Sequence, residues 1–175
     1  IAPQAHIITA CGENISSIAP AAAPVGTTIR VERLFENVPV RRAFLKSRDS
    51  ELRLLVQSLI PYALMHPQRG FFLYHEGRLI AQYPAVAALR DRYAQVVGNE
   101  IARAFLPITH TQGEIILTGG VVRPTHTRRD RSSISIAVNN RPIKSTRISS
   151  AIIRGFGQLL EPGSYPLAFI HITVP

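Results

Sequence analysis

Three features of the 175-residue sequence predict an α+β fold. Short runs alternate apolar and polar residues and are cut by Gly, Pro and Asn turns. Longer stretches repeat apolar residues at helical spacing. Both patterns occur on each side of a break near Pro84, which is the layered arrangement of strands and helices around a core. Hydrophobic residues make up 46% and charged residues 18%, enough apolar surface for a core and unlike a disordered composition.

Each element follows from local chemistry. Residues 5–10 read as a short strand, and the Gly/Ser/Pro/Ala-rich segment after them as a connection. Residues 27–34 are the clearest strand, with Ile29 and Val31 inward and Arg30, Glu32 and Arg33 polar. Asn37 and Pro39 break that strand. A helix is expected from Ser50, with Asp49 or Ser50 taking the first free amides, and Leu52, Leu55, Val56, Leu59 and Ala63 forming its stripe. Pro61 inside the pattern should kink or end it. "FFLYHEGRLIAQYP" reads as a hairpin turning at His75, Glu76 and Gly77. Residues 86–97 read as a helix stopped by Gly98, and Asn99 opens a shorter one. A second hairpin turns at Gln112 and Gly113, and Gly119-Gly120 predicts a bulge. Residues 133–138 alternate again, Asn139-Asn140 is a turn, and residues 147–160 predict a helix. That helix should bury Ile148, Ala151, Ile152, Gly155, Phe156 and Leu159. Residues 167–174 predict a last buried strand. The break near Pro84 divides the chain into 1–83 and 84–175.

The formal net charge is +9, from 20 Lys and Arg against 11 Asp and Glu. Most of it lies in one stretch. Arg123, Arg128, Arg129, Arg131, Arg141, Lys144, Arg147 and Arg154 face a single acid, Asp130, between residues 120 and 160. A field of one sign repels itself and favours a polyanionic partner. Cys11 is the only cysteine, so no internal disulfide or thiolate cluster can form. It follows Ile7, Ile8 and Ala10 and is expected to be a small buried residue. No apolar run approaches the roughly 18 residues that span a bilayer. The first residues carry no basic start of a signal peptide, and with no initiator Met the chain is expected to be a fragment.

Catalytic and cofactor motifs are missing. There is no GxxxxGK[ST] loop, GxGxxG, HExxH or GxSxG. The histidines at 6, 66, 75, 110, 126 and 171 are scattered, and no metal site is expected. Glu13, Glu32, Glu100 and Glu114 form no recognisable pair.

The order of residues is more informative. "GTTIRVERLFENVPVRRAFLKS" resembles the MutL family of DNA mismatch repair proteins, whose segment reads close to GTxVxVxxLFxNxPARRKFLKS. "SISIAVNNRPIKSTRISSAIIRGFGQLLEPGSYPLAFIHITVP" is similar to that family's VNxRxV turn, helix and closing strand. Val40, Ala43 and Asn140 depart from the usual Ala, Lys and Gly; Asn tolerates the left-handed turn that Gly would take. Members are ATPases, but the catalytic Glu and Mg-binding Asn on a helix, the DNGxG motif and the glycine-rich lid are absent. The resemblance therefore implies the C-terminal portion of a GHKL (Bergerat) ATPase α/β sandwich over residues 1–83. A transducer domain follows over 84–175, resembling the second domain of small-subunit ribosomal protein five, with a left-handed βαβ crossover.

Further expectations follow from the resemblance. Gly26 and Thr27 match the late Gly-Thr of the ATP site. ATP and Mg are implied for the intact protein and neither for this chain, which should not hydrolyse ATP alone. Arg141 matches the arginine of a DNA-facing groove; Lys144, Arg147 and Arg154 follow it, and Arg128 and Arg129 lie in a basic loop. No aromatic residue interleaves with these cations, so backbone contact is expected rather than base stacking. Arg41 and Arg42 are expected to be structural or interfacial. The implied function is that of an ATP-driven matchmaker that binds DNA non-specifically. Its implied partners are DNA, a mismatch-recognition protein of the MutS family and a second copy, with no membrane, in the cytoplasm near the nucleoid if bacterial. A basic nucleic-acid-binding structural protein of ribosomal type is the alternative.

Overall fold

The structure, a computed structural model, describes residues 4–175. They form two compact units that divide between Leu45 and Lys46.

In the first unit, β1 (Ala5–Ile7), β2 (Ala10–Cys11), β3 (Asn14–Ile15) and β4 (Ala19–Ala21) make two small antiparallel pairs, β1 with β4 and β2 with β3. The α1 helix (Pro39–Ala43) closes the unit, with proline in its first turn where a missing N–H costs nothing. Two expectations are corrected here, those for residues 27–34 and for Cys11. Residues 27–32 are not a strand, and Ile29 and Val31 are 83% and 70% exposed. A strand is held by its ladder, and no described segment pairs with this one. Cys11 is exposed rather than buried, because nothing packs over the two-residue pairing of β2 and β3. Arg41 and Arg42 are exposed and pair with no acid among the described residues.

The second unit begins with α2 (Arg48–Met65). It starts two residues before Ser50. Ser47 occupies the N-cap position, and the Glu51 carboxylate reaches back to accept from the Lys46 N–H at 2.8 Å. Asp49 and Glu51 in the first turn also suit the positive end of the helix dipole. Pro61 lies inside α2 without ending it. The hairpin of β5 (Phe71–His75) and β6 (Arg78–Tyr83) turns on Glu76 (φ 49°) and Gly77 (φ 76°). Two left-handed residues match the twist of the flanking strands. The α3 helix (Leu89–Val97) stops at Gly98, φ 91°, and α4 (Asn99–Ala102) follows.

The remaining strands are β7 (Phe105–Gln112), β8 (Ile115–Val122), β9 (Thr127–Arg128), β10 (Ile134–Val138) and β11 (Arg141–Ile143). After them come α5 (Thr146–Phe156), β12 (Tyr165–Pro166) and β13 (Ala168–Thr173). Five strands make one sheet in the order β11-β10-β13-β8-β7, in which only β10 and β13 are parallel. β9 pairs separately with β12.

Successive strand residues alternate between faces, and the two faces have separate cores. Val122, Ala137 and Phe169 pack with Leu64 of α2 and Tyr93 of α3. Ile134, Ile136 and Ala168 pack with Ile148, Ile152 and Ile153 of α5. The sheet is thus sandwiched between α2 and α3 on one side and α5 on the other. Helix α5 is shorter than expected, because Gly157 (φ 55°) ends it and a 3-10 turn follows. Its buried stripe uses Ile153, while Ala151, Gly155 and Leu159 are exposed. Gly119 and Gly120 make no bulge, since the β8 register runs through them on both sides. They permit close approach instead. A Cβ on Gly119 would overlap the Phe169 carbonyl, and one on Gly120 would meet the Phe105 ring.

Candidate nucleic-acid interface

Arg141 opens the edge strand β11 immediately after a two-residue turn. Asn139 (φ 45°) and Asn140 (φ 62°) both take left-handed conformations, which Asn tolerates better than most residues. Arg141 pairs with Val138 across the hairpin. Cross-strand partners share a face, and Val138 has the parity of Ile134 and Ile136, so Arg141 lies on the face that α5 covers.

The turn is fastened to the last strand. The Asn139 carboxamide accepts from the Val174 N–H at 2.9 Å and donates to the Val174 carbonyl at 3.0 Å. The Asn139 backbone N–H donates to Ile172 O at 3.0 Å. The Asn140 N–H donates to His171 Nε2 at 3.3 Å. Partial burial, and then the nearby His66, hold the His171 pKa below the usual imidazole value, which favours the neutral ring that this hydrogen bond requires.

Ser145 caps α5, its Oγ accepting from the Ile148 N–H at 3.3 Å. Beyond the cap, Arg147 and Arg154 are exposed and line one shallow cleft with Thr146 and Ser150. The two arginines stand about 10 Å apart along the helix axis, the rise of about three nucleotides of one DNA strand. Arg147 sits in the first turn, where the helix dipole opposes a cation and no acid is present. Stability of α5 alone would favour an acid there. Sequence reasoning missed Thr146 and Ser150; the four-residue steps from 146 to 150 to 154 were the available signal.

Lys144, exposed between β11 and α5, belongs with this group. None of Arg141, Lys144, Arg147 and Arg154 forms an ion pair among the described residues. Arg128, on β9, acts electrostatically on Tyr93, in the core beneath α2 and α3, and on Asp130. Arg129 is exposed beside it. Arg131 lies over the Tyr165 ring at 5.4 Å. Asp130 is committed locally, since hydrogen bonding from Ser132 holds its carboxyl below the ordinary range. The structure therefore gathers Arg147 and Arg154 in one cleft and sets Arg141 on the same side of the sheet, with Lys144 exposed in the link between β11 and α5 and Arg128 among different neighbours. Gly26 and Thr27 lie in the first unit in the irregular segment, exposed, with Gly26 at φ 139°. Among the described residues no group of three His, Cys, Asp or Glu could hold a metal, and no helix is long and apolar enough to cross a membrane.

Residues 93–175, which carry the sheet, α5 and the Arg141 turn, match the family described as DNA mismatch repair protein, C-terminal domain. The chain is 34% identical over 163 residues to DNA mismatch repair protein MutL of Methanoculleus marisnigri, covering 93% of this chain. The chain belongs to the MutL family of DNA mismatch repair proteins. MutL of Streptococcus pneumoniae is likewise 34% identical, over 95% of this chain. The chain spans 28% and 26% of the length of these two MutL relatives. Its mixed α/β fold resembles the Aquifex aeolicus MutL ATPase domain complexed with ADP, with a TM-score of 0.70 and 26% identity. That match covers 98% of this chain and 62% of the other. The ribosomal-type alternative finds no support in these matches to MutL.

Proposed function

We propose that this MutL segment grips the phosphate backbone of DNA through Arg141, Lys144, Arg147 and Arg154, without choosing sequence. One observation carries the reading: three arginines on the α5 side of the sheet and an exposed lysine in the link between them, none in an ion pair among the described residues, one of them opposing its own helix dipole. Such an arrangement costs stability when empty and is relieved by a polyanion. Arg128 and Arg129 are secondary contacts from the basic loop.

Residues 1–83 are the end of a GHKL ATPase domain, and 84–175 are a transducer that reports nucleotide state to DNA; the family match beginning at residue 93 supports that division. The parallel pair β10 and β13, joined through α5, is the proposed left-handed crossover. Gly26 and Thr27 contribute to an ATP site completed elsewhere in the intact protein. The ADP complex of the Aquifex aeolicus domain supports nucleotide binding there, with Mg as the expected counter-ion. Without a general base and a metal ligand the chain alone turns over no ATP. In the intact protein a homodimer couples a MutS-type mismatch signal to repair in the cytoplasm.

Duplex affinity measured between 50 and 200 mM salt tests the interface. Each phosphate contact contributes roughly 0.9 to the logarithmic salt slope. Arg141→Ala is expected to weaken binding to all sequences alike and to reduce the slope by about 1. An unchanged slope removes Arg141 from the interface.

A further inference from the structure

The turn that presents Arg141 needs two left-handed residues, and glycine would serve as well as asparagine at both. Only position 139 uses its side chain. The Asn139 carboxamide makes the reciprocal pair of bonds to Val174 that a neighbouring strand would make, at 2.9 and 3.0 Å. No Asn140 side-chain bond matches it among the described residues. The carboxamide therefore does something the turn does not require: it ties the Arg141 hairpin to the end of β13, in the central part of the sheet.

We propose that Asn139 is a positioning residue for DNA binding, holding Arg141 in place by clamping its turn to Val174, so that a phosphate held at Arg141 is felt at the end of β13. This inference rests on the DNA-binding reading above. The reasoning is geometric. Strand β11 has three residues and is paired on one side only, so the hairpin ladder alone holds Arg141 loosely. Two bonds from backbone N–H groups already reach the last strand, from the Asn139 N–H to Ile172 O and from the Asn140 N–H to His171 Nε2, and the clamp adds two more directly behind Arg141. A loosely held cation loses affinity by having more conformations to give up on contact.

Three variants of the full chain separate the possibilities: Asn139→Gly, Asn140→Gly and Arg141→Ala. Glycine keeps the turn at either position, but only at 139 does it remove the clamp. For duplex DNA at low salt, Asn139→Gly is expected to weaken binding roughly fivefold, the equivalent of about 1 kcal/mol, and Asn140→Gly to change it less than about twofold. The double variant Asn139→Gly/Arg141→Ala should bind no more weakly than Arg141→Ala alone, because Asn139 acts through Arg141. General loosening of the fold would instead give additive losses, which overturns the inference. Wild-type affinity in Asn139→Gly, with weakened binding in Arg141→Ala, overturns it while leaving the DNA-binding reading intact. Wild-type binding by Arg141→Ala defeats both. A measurement on the unsubstituted chain needs no variant: duplex should slow amide exchange at Val174, and unchanged exchange at saturating DNA counts against the clamp.

Discussion

Replacing Arg92 with methionine tests how α3 of the MutL segment is held to the link after α2 and to the β5–β6 hairpin. Arg92 of α3 is 0% exposed. Its Nη2 donates to the carbonyls of Pro67 and Arg69 at 2.8 and 2.5 Å, and its Nη1 to Gln95 Oε1 at 2.8 Å. The guanidinium carbon lies 5.8 and 5.9 Å from the centroids of the Phe71 and Tyr83 rings. No carboxylate is paired with it among the described residues. Burial lowers the Arg92 pKa and raises that of Tyr83, each partly offset by the other. Arg92→Met keeps an unbranched apolar stem and removes the buried charge, which recovers several kcal/mol of desolvation. Against this it strands two carbonyls at about 1–3 kcal/mol each, loses charge-assisted bonds of about 1.5–3 kcal/mol, and loses cation–π attraction of about 1–2 kcal/mol. The net expectation is about 3 kcal/mol of destabilisation, or about 10 °C in Tm. With no tryptophan in the chain, urea unfolding followed by far-UV circular dichroism is the assay, with the m-value checked for constancy. Arg92→Met within 1 kcal/mol of wild type would refute the reasoning, because water would then be satisfying those carbonyls.

Gly119→Ala should destabilise by several kcal/mol, since its φ of 136° is nearly closed to L-residues and the new methyl would meet the Phe169 backbone, which cannot swing aside; wild-type urea stability would overturn that. The depressed His171 pKa gives a signed pH effect: the unfolded state binds more protons than the folded one between the folded value and about 6.5. Stability is therefore full above that range and declines as pH falls through it. The Asn140 N–H loses its acceptor in the same step, and His171→Gln should flatten the acid limb of a urea-midpoint profile if this is its source.

Elements written in adjacent residues were legible in the sequence. Glu76-Gly77 and Asn139-Asn140 each encode a turn in two residues, and Gly98 marks a helix end by chemistry that needs no distant partner. Segment 27–34 carries the strongest alternation in the chain and yet forms no strand. Alternation says which side would be buried; it cannot supply the ladder, and Val25 at 95% exposure marks how little covers this region. Gly119-Gly120 failed differently. A glycine pair reads equally as a bulge or as room for a neighbour, and only the approach of Phe105 and Phe169, distant in sequence, decides between them.

The basic interface divides along the same line. That Arg141, Lys144, Arg147 and Arg154 are cations without nearby acids is a fact of sequence. That the three arginines share a side of the sheet follows from the pairing of Arg141 with Val138 and from α5 packing through Ile148, Ile152 and Ile153, neither of which a charge count contains. Arg128 makes the contrast: it is as basic as the others and exposed like them, but it lies on β9, which pairs with β12 and not with the five-stranded sheet. Asn139 was legible only as a turn former. Its carboxamide acts across 35 residues, so the feature that links Arg141 to the sheet interior was invisible to any local reading. Charge in this MutL segment is thus assigned by composition, but its direction is assigned by long-range pairing, and the clamp at Val174 is where the two meet.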